Sequence, residues 1–364
     1  MIRNNDVISP YQIAMIIIMS VISVGVFSVA SDAAEAAGAD GWLIVALAGA
    51  LNVLAVYIIV RLNSRFPGKT FAEYSQIIIG TVLGKALTFL FAVYLLMVIA
   101  YVTRAFTEVV KMFLLFRTPT EVIMLSLILA CTYIVRGGAE CIGRINELIF
   151  PILFIPFFVI MFFGFQQMEF SNMLPSFQTP VDKVITAVPA LTFSFGGIEL
   201  ALFYIGFMRN PKKAYKPAII AVLFITFFLV MVTVFCIAAF GKNATTQFLW
   251  PLVSYIRAIS LPGLFIERLD GVILSLWMLT VFTTMVSAYF VLSYSISKVI
   301  GTKEHKQYVV PLSILIYYFA LQPDSLAELY EWGSAVFPYA ISAFLYVVPI
   351  VLLLLAKLRR LGVH

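Results

Sequence analysis

Ser194-Phe195-Gly196-Gly197-Ile198-Glu199-Leu200 sits in the middle of an apolar run, 184–207, that is otherwise long enough to cross a bilayer. The first half of the chain has a matching weak point, where Ser20, Ser23, Gly25 and Ser28 punctuate the apolar run 11–31. In lipid an unpartnered backbone N–H or C=O is costly, so a helix breaks only where protein or a watery cavity compensates. Breaks in the first spans of two successive halves point to a small-molecule site at mid-membrane depth, walled by unwound helices.

The composition supports a membrane reading. Of 364 residues 62% are hydrophobic and only 12% charged, and mean hydropathy is +1.04, whereas a soluble domain carries roughly 25% charged residues. At about 20 apolar residues per membrane helix, the chain is a polytopic all-α membrane protein with almost no soluble part. It has no solvated basic domain of the kind that would bind nucleic acid. Cys131, Cys141 and Cys236 lack a C-x-x-C spacing, and the two histidines, His305 and His364, lie in a charged loop and at the terminus. A metal site, a Ser-His-Asp or Cys-His triad, and enzymatic chemistry generally are therefore not expected, and no cofactor is implied. Arg3, the apolar run from Ile13 and Val29-Ala30-Ser31 imitate a signal peptide, but cleavage there would destroy the symmetry between the two halves.

Ten spans are expected, near 11–31, 41–61, 84–106, 120–135, 145–165, 184–207, 217–240, 270–297, 308–323 and 334–356. The ninth is short, and the third is expected to continue as a helix past the hydrocarbon. Thr70–Ile79, with Glu73 and Gln76 on one face, and Thr246–Ile259 read as interfacial pieces. With both termini in the cytoplasm, Arg61, Arg65, Lys69, Lys85, Arg136, Arg144, Arg209, Lys212, Lys213 and Lys216 fall on the inner side. So do Arg3, Lys298, Lys303, Lys306, Lys357, Arg359 and Arg360, giving 17 of 24 basic residues inside, as the positive-inside rule requires. The first outer loop, Ser31 to Asp40, is acidic. Five plus five spans make the second set, about 182–357, inverted relative to the first, about 9–165, within one membrane domain covering 1–364. Spans one and six are then the discontinuous helices.

Around the breaks, glycine at 196 and 197 opens backbone conformations that other residues avoid. Pro189 removes a donor upstream, and Thr192 and Ser194 offer hydroxyls to freed backbone groups. The alternative is that the glycines only let helices pack closely. Glu199, the one acidic residue well inside a span, either caps the second half-helix or senses a ligand or proton. Thr280, Thr283, Thr284 and Ser287 share a face of span eight, unless they bond only to their own helix carbonyls. Tyr94, Val98 and Tyr101 in span three either wall the pocket or simply pack. Arg104 and Glu108, at i and i+4, read as a salt-bridged membrane exit with Lys111 beside them. Glu267, Arg268 and Asp270 make a second charged knot, and either knot could hold an outer gate or a partner subunit.

The run Thr103-Arg104 through Glu108 and Lys111 to Arg117-Thr118-Pro119 resembles the hallmark after span three in B subunits of spore nutrient-germinant receptors. Trp250-Pro251, Gly263 to Asp270, Pro323-Asp324 and Phe195-Gly196-Gly197-Ile198-Glu199 are similar to further blocks of that family, in the same order along nearly the whole chain. The resemblance implies the five-plus-five fold of the amino acid–polyamine–organocation superfamily. It also implies a sensor of an amino acid, sugar or nucleoside in the inner membrane of the endospore, with an A-type membrane subunit and a C-type lipoprotein as partners. By that pattern the pocket takes in Ser23, Val24 and Gly25, then Phe195, Gly196 and Gly197, with Val98 and Thr283–Thr284 at its sides; Tyr101, Glu199 and Ser287 complete the candidate set. The chain departs from the family pattern with Ser23-Val24-Gly25 where many members have Gly-x-Gly. It also has Ser28-Val29 in place of Leu-Pro, and Met173-Leu174-Pro175 in place of Leu-Arg-Pro. Three functions compete: a ligand-gated sensor, an amino acid permease, and a ligand-free scaffold that would leave the paired breaks unexplained. Gly197→Leu is expected to abolish a nutrient response while the protein still folds.

Overall fold

The computed structural model describes residues 6–23, 25–180, 182, 187–259 and 269–362, and these are all-helical. Six stretches among them are long and apolar enough to cross a membrane by themselves: Gly25–Ser64, Thr81–Phe113, Ala139–Gln167, Pro211–Gln247, Gly271–Ile300 and Leu326–Leu358. The first of these would reach about 60 Å if straight, twice a bilayer core of about 30 Å. It is divided by a turn at Gly38–Asp40 into α2 (Gly25–Ala37) and α3 (Gly41–Ser64), which pack against each other.

α1 (Pro10–Val21) precedes α2, and the expected break in span one lies between them. Ser9 starts α1 with a capping box: the Gln12 N–H donates to Ser9 Oγ at 3.1 Å and the Ser9 N–H to Gln12 Oε1 at 3.0 Å. Pro10 occupies the first turn, where its missing N–H costs nothing. The short helix α4 (Phe71–Ile79), expected to be interfacial, opens the same way on Thr70 and Glu73. α5 (Thr81–Phe113) runs on beyond the expected span three. α6 (Thr120–Val135) and α7 (Ala139–Gly164) complete the first half.

The expected span six is not a regular α-helix. It is a 3-10 stretch, Val188–Phe195, then a turn at Gly196-Gly197, then Ile198–Leu200, the short α8 (Ala201–Tyr204) and Ile205–Phe207. α9 (Tyr215–Gln247) kinks at Gly241, where φ is 72°, one residue past the expected end of span seven. α10 (Pro251–Ala258) falls within the second piece expected at the interface. α11 (Leu269–Ile300), α12 (Lys306–Ala320), α13 (Leu326–Ser342) and α14 (Val348–Leu358) follow. A π turn, Ala343–Val347, joins the last two, just before Pro349, which lacks the N–H that would continue an α-helical ladder.

α1 is buried from Gln12 to Val21 and packs against α7, α9 and α11. Its neighbour α2 packs against α9 and the 188–195 stretch, and α11 lies along α5. The two interrupted segments therefore form the centre of the bundle. Outside it, Leu54, Leu83, Leu129, Ile155, Phe162 and Ile314 are exposed, the pattern of side chains that face lipid rather than water.

Candidate functional site

The break in segment one is held by donors from another helix. Ile22 still donates to Ile18 O at 3.1 Å, and Ser23 turns back to Val21 O at 2.9 Å. The carbonyls released by the break find partners on α11: Thr284 Oγ1 donates to Met19 O at 2.7 Å, and the Trp277 indole N–H donates to Ser23 O at 3.2 Å. Trp277 is itself stacked on Phe27, with ring centroids 4.6 Å apart.

The break in segment six brings its own partners. Gly197 has φ 114° and ψ −24°, a left-handed conformation that favours glycine. A Cβ at this position would stand 2.5 Å from Ser20 O and 3.1 Å from Val21 N, so the main chains of the two segments touch here. Glu199 Oε2 accepts the Gly197 N–H at 2.8 Å, and Oε1 accepts the Tyr94 hydroxyl at 2.7 Å. Gly197 lets two backbones meet, and both glycines border a cavity. That contact corrects the expectation for Gly197→Leu. A side chain there must displace main chain, so the substitution tests folding before it tests binding.

The cavity lies between the breaks. It is walled by Ser20, Val21, Ser23 and Gly25 from segment one; Phe193, Gly196, Gly197, Glu199 and Leu200 from segment six; Tyr94, Leu95, Val98 and Val102 from α5; Thr284 and Ala288 from α11; and Ile341 from α13. It leaves about 50 Å³ for the centres of water-sized molecules. One water needs roughly 10–15 Å³ by that measure, so the space fits a few waters, and a nutrient requires its apolar walls to give way. Ser20 and Ser23 hydroxyls are buried without a hydrogen-bond partner. Water in the cavity, or a polar group of a ligand, would satisfy them.

Of the candidate residues, Ser23, Gly25, Val98, Gly196, Gly197, Glu199 and Thr284 meet at this cavity. Val24 lies outside the described residues, as do Glu267 and Arg268. Tyr101 stands one layer back, with its ring against Phe193 and Phe337 at 5.8 and 5.1 Å. Phe195 is fully buried and off the wall. Thr283 bonds to Thr280 O at 2.9 Å within its own helix. The Ser287 hydroxyl is unpartnered away from the wall, while its carbonyl accepts the Tyr204 hydroxyl at 3.0 Å. Arg104 and Glu108 pair at 2.9 Å, as their spacing implied. Trp277 was missed, although an indole N–H in mid-span must find an acceptor. Ile341, an ordinary apolar residue of its helix, carried no signal at all.

Residues 7–327 match the family described as "Spore germination protein". The chain belongs to the spore germination protein family. Relatives of this spore germination protein include "Spore germination protein YndE" of Bacillus subtilis (strain 168), 30% identical over 362 residues that make up 98% of each chain. "Spore germination protein GerQB" of Bacillus cereus is 26% identical over 359 residues, 97% of this chain and 98% of that one. The resemblance to the B subunits of germinant receptors is thereby borne out. Among solved structures the chain is similar to MhsT in complex with L-phenylalanine, with TM-score 0.72, 11% identity, and coverage of 96% of this chain and 88% of that one. It is also similar to Mhp1, a nucleobase-cation-symport-1 family transporter in a closed conformation with bromovinylhydantoin bound. There the TM-score is 0.67, the identity 11%, and the coverage 95% and 77%. At that identity the likeness is one of fold: this spore germination protein is a multi-pass membrane protein with a transporter-like fold.

Proposed function

We propose that this chain is the nutrient-binding subunit of a germinant receptor, taking an amino acid in the cavity between its two breaks, without catalysis. The observation that carries this reading is the pair of unpartnered hydroxyls, Ser20 and Ser23, at the cavity where both helices are interrupted. Ser23, Gly25, Val98, Gly196, Gly197, Glu199 and Thr284 form the ligand shell, and Tyr101, Phe195, Thr283 and Ser287 support it from behind. A ligand that does not fit the closed cavity selects a conformation with withdrawn walls, and an A-type membrane subunit and a C-type lipoprotein read that shift. The protein works in the inner membrane of the endospore with both termini on the core side, a placement supported by the basic residues gathered in the inner loops. A working amino acid permease is the second reading, favoured by the transporter-like fold.

The test is a nutrient screen on the purified full-length protein by thermal shift, with liposome uptake of radiolabelled amino acids alongside. A shift by a nutrient without accumulation in liposomes is expected. Robust accumulation by this protein alone assigns it to transport, and a panel of amino acids, sugars and nucleosides without any shift sinks the pocket.

A further inference from the structure

A second cavity lies behind segment one, and the proposed nutrient site makes no use of it. It leaves about 30 Å³ for the centres of water-sized molecules, room for about two or three of them. Segment one contributes Ile22, Val26 and Phe27 to its walls, α7 contributes Leu153 and Phe154, and α11 contributes Ile273. Each of these is 5% exposed or less. Trp277 and Thr280 bring the polar groups, and both spend their protons elsewhere: the Thr280 hydroxyl donates to Trp277 O at 2.7 Å, and the Trp277 N–H to Ser23 O. A buried water needs about two to four polar partners, so a cavity with such walls excludes water and accepts an apolar guest. The guest's atoms supply dispersion contacts that the lining otherwise lacks.

We propose that this second cavity binds a small apolar molecule, a noble-gas atom or a short hydrocarbon, and that a guest there opposes opening of the nutrient cavity. The guest site stands by itself, whereas its bearing on the nutrient rests on the central cavity being the nutrient site. Among the described residues the two cavities share no wall residue, and segment one at its break is the partition between them. Ser23 and Gly25 face the nutrient cavity, while Ile22 and Val26 face the second one. The nutrient cavity is too small for a nutrient until a wall withdraws, and on one side Gly197 already bears on the main chain at Ser20. Segment one can withdraw because there is space behind it and because its break is held only by Thr284 and Trp277. A guest among Ile22, Phe27 and Ile273 takes up that space and keeps Trp277 seated on Phe27. By linkage the opposition is mutual: a nutrient that pushes segment one back expels the guest.

The probe is xenon, applied under pressure to the purified full-length protein, with helium at the same pressure as the control. Xenon is expected to raise the unfolding temperature of the wild type, a comparison that needs no variant. The rise should persist in folded Val98→Trp, whose ring fills the nutrient cavity, and vanish in Ile273→Phe, whose ring fills the second one. No difference between the gases in the wild type, or a rise that survives Ile273→Phe or is lost in Val98→Trp, would overturn the guest site. The opposition is read without any nutrient. In Ser23→Cys a water-soluble thiol reagent reaches residue 23 only when the nutrient cavity opens. Mass spectrometry follows that residue apart from Cys131, Cys141 and Cys236. Xenon is expected to slow its labelling about 5-fold or more, and an unchanged rate would overturn the opposition. Failure of the nutrient reading shows elsewhere, as a nutrient screen without a thermal shift while xenon still binds.

Discussion

The two breaks solve one physical problem in opposite ways. Segment six is locally self-sufficient: Gly197 supplies the left-handed turn, and Glu199, two residues on, accepts the N–H that the turn releases. Segment one has no such provision. Its released carbonyls, Met19 O and Ser23 O, are satisfied by Thr284 and Trp277, more than 250 residues later in the chain. A break that carries its own partners can form as soon as its backbone bends. One that borrows them is stable only after α11 has packed alongside it, which makes segment one the more easily altered of the two.

Gly197→Ala attacks the self-sufficient break where the two segments touch. Its Cβ meets the Ser20 carbonyl at 2.5 Å, and the backbone conformation is one that alanine resists. A loss of about 3 kcal/mol or more is expected, read as a lowered unfolding temperature and poor recovery of monodisperse protein. Near-normal stability would mean that the contact between the breaks is looser than described.

The borrowed partners give a smaller effect and a sharper contrast. Thr284→Val removes the donor to Met19 O and leaves a buried carbonyl unsatisfied, costing about 1–3 kcal/mol. Thr283→Val, one residue away, removes only a hydroxyl bonded to its own helix and should change stability by less than about 0.5 kcal/mol. Equal effects from the two, in parallel unfolding measurements, would contradict the idea that segment one depends on α11.

The smallest effect is expected at the outer ends of the two segments, where Asp40 ties the turn after α2 to the chain leading into segment six. Its carboxylate accepts the N–H groups of Phe177, Gln178 and Thr179 at 2.6, 2.9 and 2.9 Å, and the Thr179 hydroxyl at 3.0 Å. Burial pushes this carboxyl up, but those bonds outweigh it and hold the pKa below the usual 3.8. A depressed carboxylate pKa adds stability above the ordinary value, which is lost as pH falls through the folded one. The loop should therefore stay protected from hydrogen exchange near neutral pH and open only as the pH falls below 3.8, through the depressed pKa of Asp40. In Asp40→Asn it should lack that acid-dependent step. An acid transition unchanged in Asp40→Asn would place its cause elsewhere.

Much of this was legible in the chain itself. An all-helical membrane protein, the short helices 71–79 and 251–258 and the position of both breaks follow from hydropathy and from where glycine and serine interrupt it, because the bilayer punishes unpaired backbone wherever it occurs. The i, i+4 ion pair of Arg104 and Glu108 is equally local and was equally readable. Tertiary packing alone decided that Thr284 reaches across to segment one while Thr283 turns inward to its own helix. It also decided that Tyr101 stands behind Phe193, and that Ile341 closes a wall that nothing in its own helix announces. The reason is rotational: hydropathy marks which residues lie within the bilayer, whereas the direction a side chain takes within it depends on how each helix is turned against its neighbours. In lipid every face of a helix can be apolar, so one-dimensional patterning carries little information about that turn.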